Sequence, residues 1–156
     1  MEKEPTAKDL MRKKFPTLKK TDSLDKAIKI FITKPDIVFP VVDENGKFVG
    51  EIIQHELLKM VLPPRYVEEG TILGPRGIMD IMERYATVVG DLMRTHEVKI
   101  RADMRVGDIV KLMLDSDVKT LEVVDNKGRP LGFLSDLDIL RHIDKTLLAR
   151  KKVKNR

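Results

Sequence analysis

The chain has 156 residues, of which 42% are hydrophobic and 35% charged, with a formal net charge of +5. It contains no cysteine, which excludes disulfides and thiolate metal sites. No apolar run approaches the roughly 18 residues a membrane-crossing helix needs, and the opening MEKEPTAKDLMRKK lacks the apolar core of a signal peptide, so a soluble cytoplasmic protein is expected.

A short strand is predicted around Thr17-Leu18, followed by an acid-bearing turn. Leu24, Ala27, Ile28 and Phe31 then repeat at the i, i+3, i+4, i+7 spacing of a helix with one buried face. The β-branched run Ile37-Val38-Phe39-Pro40-Val41-Val42 reads as a strand. Asp43-Glu44-Asn45-Gly46 forms the turn of a hairpin whose second strand leads into a helix over Gln54–Val61. Pro63-Pro64 and the glycines Gly70 to Gly77 break the pattern, so residues 63–88 read as a linker. Inside it, Ile78, Ile81, Met82 and Tyr85 make a helical apolar stripe suited to core packing or a dimer seam.

The same plan then returns. Asp9-Leu10-Met11-Arg12 recurs as Asp91-Leu92-Met93-Arg94, a shift of 82 that also carries Val41-Val42-Asp43 onto Val123-Val124-Asp125. It takes Gly46 onto Gly128, Gly50 onto Gly132 and Leu58 onto Leu140. The second copy has a strand at Lys99-Ile100, a stripe of Val106, Ile109, Val110 and Met113, a strand from Val118 to Val124 and a helix over Asp136–Lys145. The chain is a tandem duplication of a strand–helix–strand–strand–helix unit, which gives a mixed α/β (α+β) fold class. The basic tail over residues 146–156, ending ARKKVKNR, reads as a frayed, solvated terminus.

In the phrase GFLSDLDILR, Ser135 and Asp138 stand three apart where a strand gives way to a helix. That spacing is a capping box, and it also suits a ligand. A carboxylate can accept from both hydroxyls of a ribose, while a helix N-terminus and a serine hydroxyl can meet a phosphate.

The phrases Leu10-Met11, Thr17-Leu18, Leu24 to Ile28, Pro40-Val41-Val42-Asp43, Gly46 and Val49-Gly50 carry a resemblance. Together with Leu92-Met93, Lys99-Ile100, Val123-Val124-Asp125, Gly128 and Leu131 to Ser135 with Asp138, they resemble the paired cystathionine-β-synthase (CBS) domain, or Bateman module. The resemblance covers residues 8–62 and 89–145, as two CBS domains. It implies a pair of βαββα units packed with pseudo-two-fold symmetry, clefts between them, and a homodimer. Many members bind AMP, ADP, ATP or S-adenosylmethionine there as a regulatory ligand, with no covalent cofactor. Carried over, the stronger cleft uses Ser135, Asp138 and the segment Phe15-Pro16-Thr17-Leu18.

The second cleft has Ile53 and Glu56 at the matching positions, with Glu51 adding negative charge. Isoleucine offers a phosphate no donor, so this cleft is expected to be weak or empty, with Glu56, Lys99 and Lys119 as its nearest polar groups. Abundant Lys and Glu with a single glutamine, Gln54, fit an archaeal or thermophilic source.

Other functions compete with a sensor. His55, His96 and His142 lack metal-ligand spacing, and Ser135 and His142 stand roughly 10 Å apart along a helix, so no catalytic role is expected. A nucleic-acid binder would draw on the basic tail, but aromatic residues make up only 4%. A scaffold that pairs with itself or another protein, without any ligand, remains the main alternative. In the sensor reading the chain stands alone, and its regulatory output falls on a separate protein partner that the sequence does not name.

Overall fold

The computed structural model describes residues 3–60 and 88–154. The end of the expected helix at Val61 and the linker stripe of Ile78, Ile81, Met82 and Tyr85 lie outside the described residues. The chain forms two compact units, neither of them continuous with one copy of the repeat. One is Pro16–His96; the other joins Met1–Phe15 to Glu97–Arg156.

In the first unit, β1 (Leu18–Lys19) runs parallel to β2 (Val38–Val42), and β2 pairs antiparallel with β3 (Phe48–Ile53). Between β1 and β2 lies helix α2 (Leu24–Thr33), started by Ser23, whose side chain accepts from the Lys26 N–H at 3.2 Å. Its stripe buries Leu24, Ala27 and Phe31, and Phe31 packs on Phe39 with ring centroids 4.8 Å apart. The sheet has a fourth strand that the strand–helix–strand–strand–helix plan lacks. This is β4 (Arg94–Thr95), from the opening of the second copy, paired antiparallel with β3. A short 3-10 turn, Val89–Asp91, precedes it, and Val89 is fully buried.

The second unit follows the same plan with a three-stranded sheet. Its opening helix is α1 (Ala7–Leu10), from the start of the chain. Strands β5 (Lys99–Arg101), β6 (Thr120–Val124) and β7 (Pro130–Ser135) form its sheet, parallel between β5 and β6 and antiparallel between β6 and β7. Helix α3 (Val106–Ser116) buries Ile109 and Met113. Ala7, Ile100, Leu121, Val123, Leu134 and Ile139 join them in the core, so the first copy's opening residues complete the second copy's interior. The two hairpins match in detail. The ladder slips between Val41 and Val42 in one and between Val123 and Val124 in the other.

Two helices depart from the sequence reading. Gln54–Met60 is a 3-10 helix rather than an α-helix, and Ile53 before it has no side-chain oxygen to cap its free N–H groups. The last helix, α4 (Asp136–Lys154), continues nine residues beyond the expected end at Lys145. The tail is therefore helical and not frayed through Lys154. Leu, Ala, Arg and Lys are strong helix formers, and no Gly or Pro interrupts them.

Candidate functional site

Strand β7 runs directly into α4, and the junction is built around Ser135 and Asp138. Ser135 is fully buried and Asp138 is 6% exposed. The Asp138 Oδ2 accepts from the Ser135 backbone N–H at 2.9 Å and from its hydroxyl at 3.0 Å. In return the Asp138 N–H reaches Ser135 Oγ at 3.4 Å. This is a reciprocal capping box, so the local pattern is structural before any ligand arrives. The hydroxyl proton expected to meet a phosphate is already given to Asp138.

The other oxygen of Asp138 faces cations. Its Oδ1 lies 2.9 Å from Arg12 Nε and 3.3 Å from Arg141 Nη1. Burying a carboxylate without such partners is costly. Arg12 is held from three sides. Its guanidinium sits 3.7 Å from the Phe15 ring centroid, and Phe15 meets Phe133 edge-on at 6.1 Å. Its backbone exchanges hydrogen bonds with Phe133, N–H to carbonyl, at 2.9 and 3.1 Å. Gly132 makes this approach feasible, since a Cβ there would fall 2.7 Å from the Arg12 carbonyl oxygen.

A cavity of about 260 Å³ opens beside this carboxylate. Asp9 and Arg12 line it from the leading segment; Asp138, Arg141, His142 and Lys145 line it from α4. Asp9 is held below the usual carboxyl value by the Thr6 backbone N–H, then by the Thr6 hydroxyl, at 2.8 and 2.9 Å. Among the described residues no group of His, Cys, Asp and Glu could hold a metal ion. No helix of the described residues is long and apolar enough to cross a membrane.

Of the residues expected around this site, Phe15 lies with Asp138 and Ser135 in the second unit. Pro16, Thr17 and Leu18 belong to the first unit. Pro16 is half-buried and Thr17 exposed, whereas Leu18 is fully buried opposite Val41 in the ladder, so its side chain is core.

The first copy is built differently at the same positions. Ile53 is buried where Ser135 stands, and Glu56 is half-buried in the first turn of the 3-10 helix. Glu51, matching Phe133, is fully buried with its carboxylate 3.1 Å from His96 Nε2 and 4.0 Å from Arg94 Nη1. Arg94, the repeat mate of Arg12, is thus directed to a strand glutamate. In the second unit, Lys99 Nζ lies 3.3 Å from the buried Glu122, and Lys119 Nζ lies 3.8 Å from Asp117.

Arg12 and Arg141 are the site residues that sequence reasoning missed. The signal for Arg12 was present, since the repeated Asp-Leu-Met-Arg phrase ends on it. Its destination was not, because the pairing with β7 joins residues 121 apart.

Comparison with known proteins agrees with the architecture. The CBS domain family matches residues 7–63 and 89–145. The chain is 26% identical over 140 residues to the chloroplastic CBS domain-containing protein CBSX2 of Arabidopsis thaliana, covering 83% of this chain and 59% of that protein. A CBS domain-containing protein of Dictyostelium discoideum is 30% identical over 141 residues, covering 90% of this chain and 92% of that one. Among solved structures, CBSX2 in complex with AMP matches with a TM-score of 0.65 at 26% identity, covering 91% of this chain and 98% of that one. The CBS domain pair of protein MJ0100, in complex with 5'-methylthioadenosine and S-adenosyl-L-methionine, matches in fold with a TM-score of 0.65 at 21% identity, over 92% of this chain and 99% of that one. With two matched repeats, two matching hairpins and a capped β7–α4 junction, the chain belongs to the CBS domain family, as a pair of CBS domains.

Proposed function

We propose that this chain is a regulatory module that binds an adenosine compound against Asp138 and acts on a separate protein partner, catalysing no reaction itself. One observation carries the reading: a buried carboxylate, oriented by Ser135 and bordering a cavity. The AMP complex of CBSX2 supports the ligand class.

The geometry makes binding an exchange. A carboxylate has about four lone-pair directions. Ser135 uses Oδ2 twice, and Arg12 and Arg141 approach Oδ1. The two hydroxyls of a ribose can take Oδ1 only if an arginine gives way, and both side chains are partly open to solvent, 27% for Arg12 and 41% for Arg141. The half-buried Phe133 ring, braced edge-on by the buried Phe15, offers apolar surface for a flat base. Regulation then requires that the ligand favour one conformation of the module over another. A homodimer belongs to this reading, and the exposed stripe of Leu140, Ile143 and Leu147 on α4 supplies an apolar face for it.

The test is calorimetric titration of the full chain and of Asp138→Asn with AMP, ATP and S-adenosylmethionine. Asparagine can still accept from the Ser135 N–H, and circular dichroism would check that the helices persist. Affinity is expected to fall about tenfold or more on losing a charged acceptor. Equal affinity in both proteins would remove Asp138 from the site.

A further inference from the structure

Helix α4 outruns the family pattern. The CBS match stops at residue 145, and the helix continues to Lys154. Beyond the apolar stripe that ends at Leu147, residues 148–154 extend it by about two turns, roughly 10 Å. All seven are exposed, Leu148 at 50% and Val153 at 76%. Residues 146–156 hold 5 of the 30 Lys and Arg and none of the 25 Asp and Glu, so residues 1–145 carry 25 of each and balance. The whole net charge of +5 therefore sits on this stretch. Among the described residues no carboxylate pairs with Arg150, Lys151, Lys152 or Lys154. Lys26, Lys29, Lys99 and Lys111, by contrast, each meet one.

Charge of one sign calls for an anionic partner, and the arrangement of the cations selects among them. Arg150, Lys151 and Lys152 are consecutive and so point about 100° apart around the axis. With Lys154 they surround the helix on three sides, and Leu148 and Val153 fall between them. A helix lying on a membrane surface needs its apolar and cationic residues on opposite faces. A single acidic helix would cover one face only. The major groove of duplex DNA flanks a helix on both sides, because it is about 12 Å wide, admits an α-helix and has phosphates along both walls. The 4% aromatic content weighs against single strands, whereas a duplex groove needs no stacking platform.

We propose that residues 148–154 of α4 form a DNA-docking arm, which enters the major groove of a duplex and holds its phosphates through Arg150, Lys151, Lys152 and Lys154. Phosphate contacts carry no base information, so the arm binds duplexes regardless of sequence. Cations in the last turn also suit the negative end of the helix dipole, which keeps the arm helical before any duplex arrives. The arm shares no residue with the cavity beside Asp138, so the two sites stand or fall separately.

The experiment follows binding of the full chain to a short fluorescent DNA duplex of random sequence, by anisotropy, at about 50 and about 200 mM salt. With four phosphates engaged, affinity is expected to fall about a hundredfold across that range. The variant Arg150→Gln/Lys151→Gln/Lys152→Gln/Lys154→Gln should bind about tenfold or more weakly at low salt and lose most of the salt dependence. Glutamine keeps a long, helix-forming side chain, and circular dichroism checks that α4 persists. The charge-preserving variant Lys151→Arg/Lys152→Arg should bind as the unaltered chain does. Equal affinity and salt dependence in the fourfold variant would overturn the arm, as would no binding to DNA even at low salt. Tighter binding to a single strand, to polyglutamate or to phosphatidylserine vesicles would overturn it in favour of that partner. An RNA duplex has a deep, narrow major groove, so binding to it as tight as to DNA would overturn the groove docking.

Discussion

Donors hold the carboxylates of this chain in two ways. Asp138 relies on side-chain cations and its own cap. Asp9 and Asp125 rely first on backbone N–H groups, from Thr6 and from Arg129, and both lie below the ordinary value of 3.8. At Asp22 burial pushes the value up, but the Lys19 N–H and the Lys26 ammonium outweigh it, and the net direction is again down. The folded forms of these three bind protons less readily than the unfolded chain. Their stabilisation is complete above the ordinary value and disappears as pH falls through the lower folded values. Urea midpoints followed by circular dichroism should therefore decline below about pH 4. A midpoint that stayed level to about pH 2 would show that these bonds do not survive in solution.

At the scale of the element, the opening segments matter more than their length suggests. Arg12 lies against β7 because Gly132 has no side chain, and the segment bearing Arg94 lies against β3 because Gly50 has none. A Cβ on Gly50 would fall 2.2 Å from the Arg94 carbonyl oxygen. Gly132→Ala should push the first segment away and cost about 1–3 kcal/mol in urea unfolding. Stability at the wild-type level would mean that the close approach is not maintained. The helical stripes, both hairpins and the Ser135–Asp138 pair were legible in the sequence because each is set by neighbours within a few residues. The pairing of Arg12 with Phe133 was not, since it depends on a glycine 120 positions away. The 3-10 turn after Ile53 was legible only in hindsight, from the missing cap.

For the molecule as a whole, neither compact unit can be completed from one copy of the repeat. The first needs Val89 and β4, and the second needs Ala7 and Arg12. A chain shortened to residues 1–62 contains a full copy of the motif yet lacks an edge strand and a fully buried valine. It should melt without a cooperative transition, whereas the full chain should melt sharply. A sharp transition in the short chain would show that the second copy's opening adds nothing to the first unit. Contacts of such long sequence separation also favour slow assembly, late in synthesis.

Arg12 stands three residues ahead of the point, between Phe15 and Pro16, where the backbone leaves one unit for the other. A ligand that took its place on Asp138, as proposed above, would therefore disturb an ion pair only three residues from that crossing of the main chain.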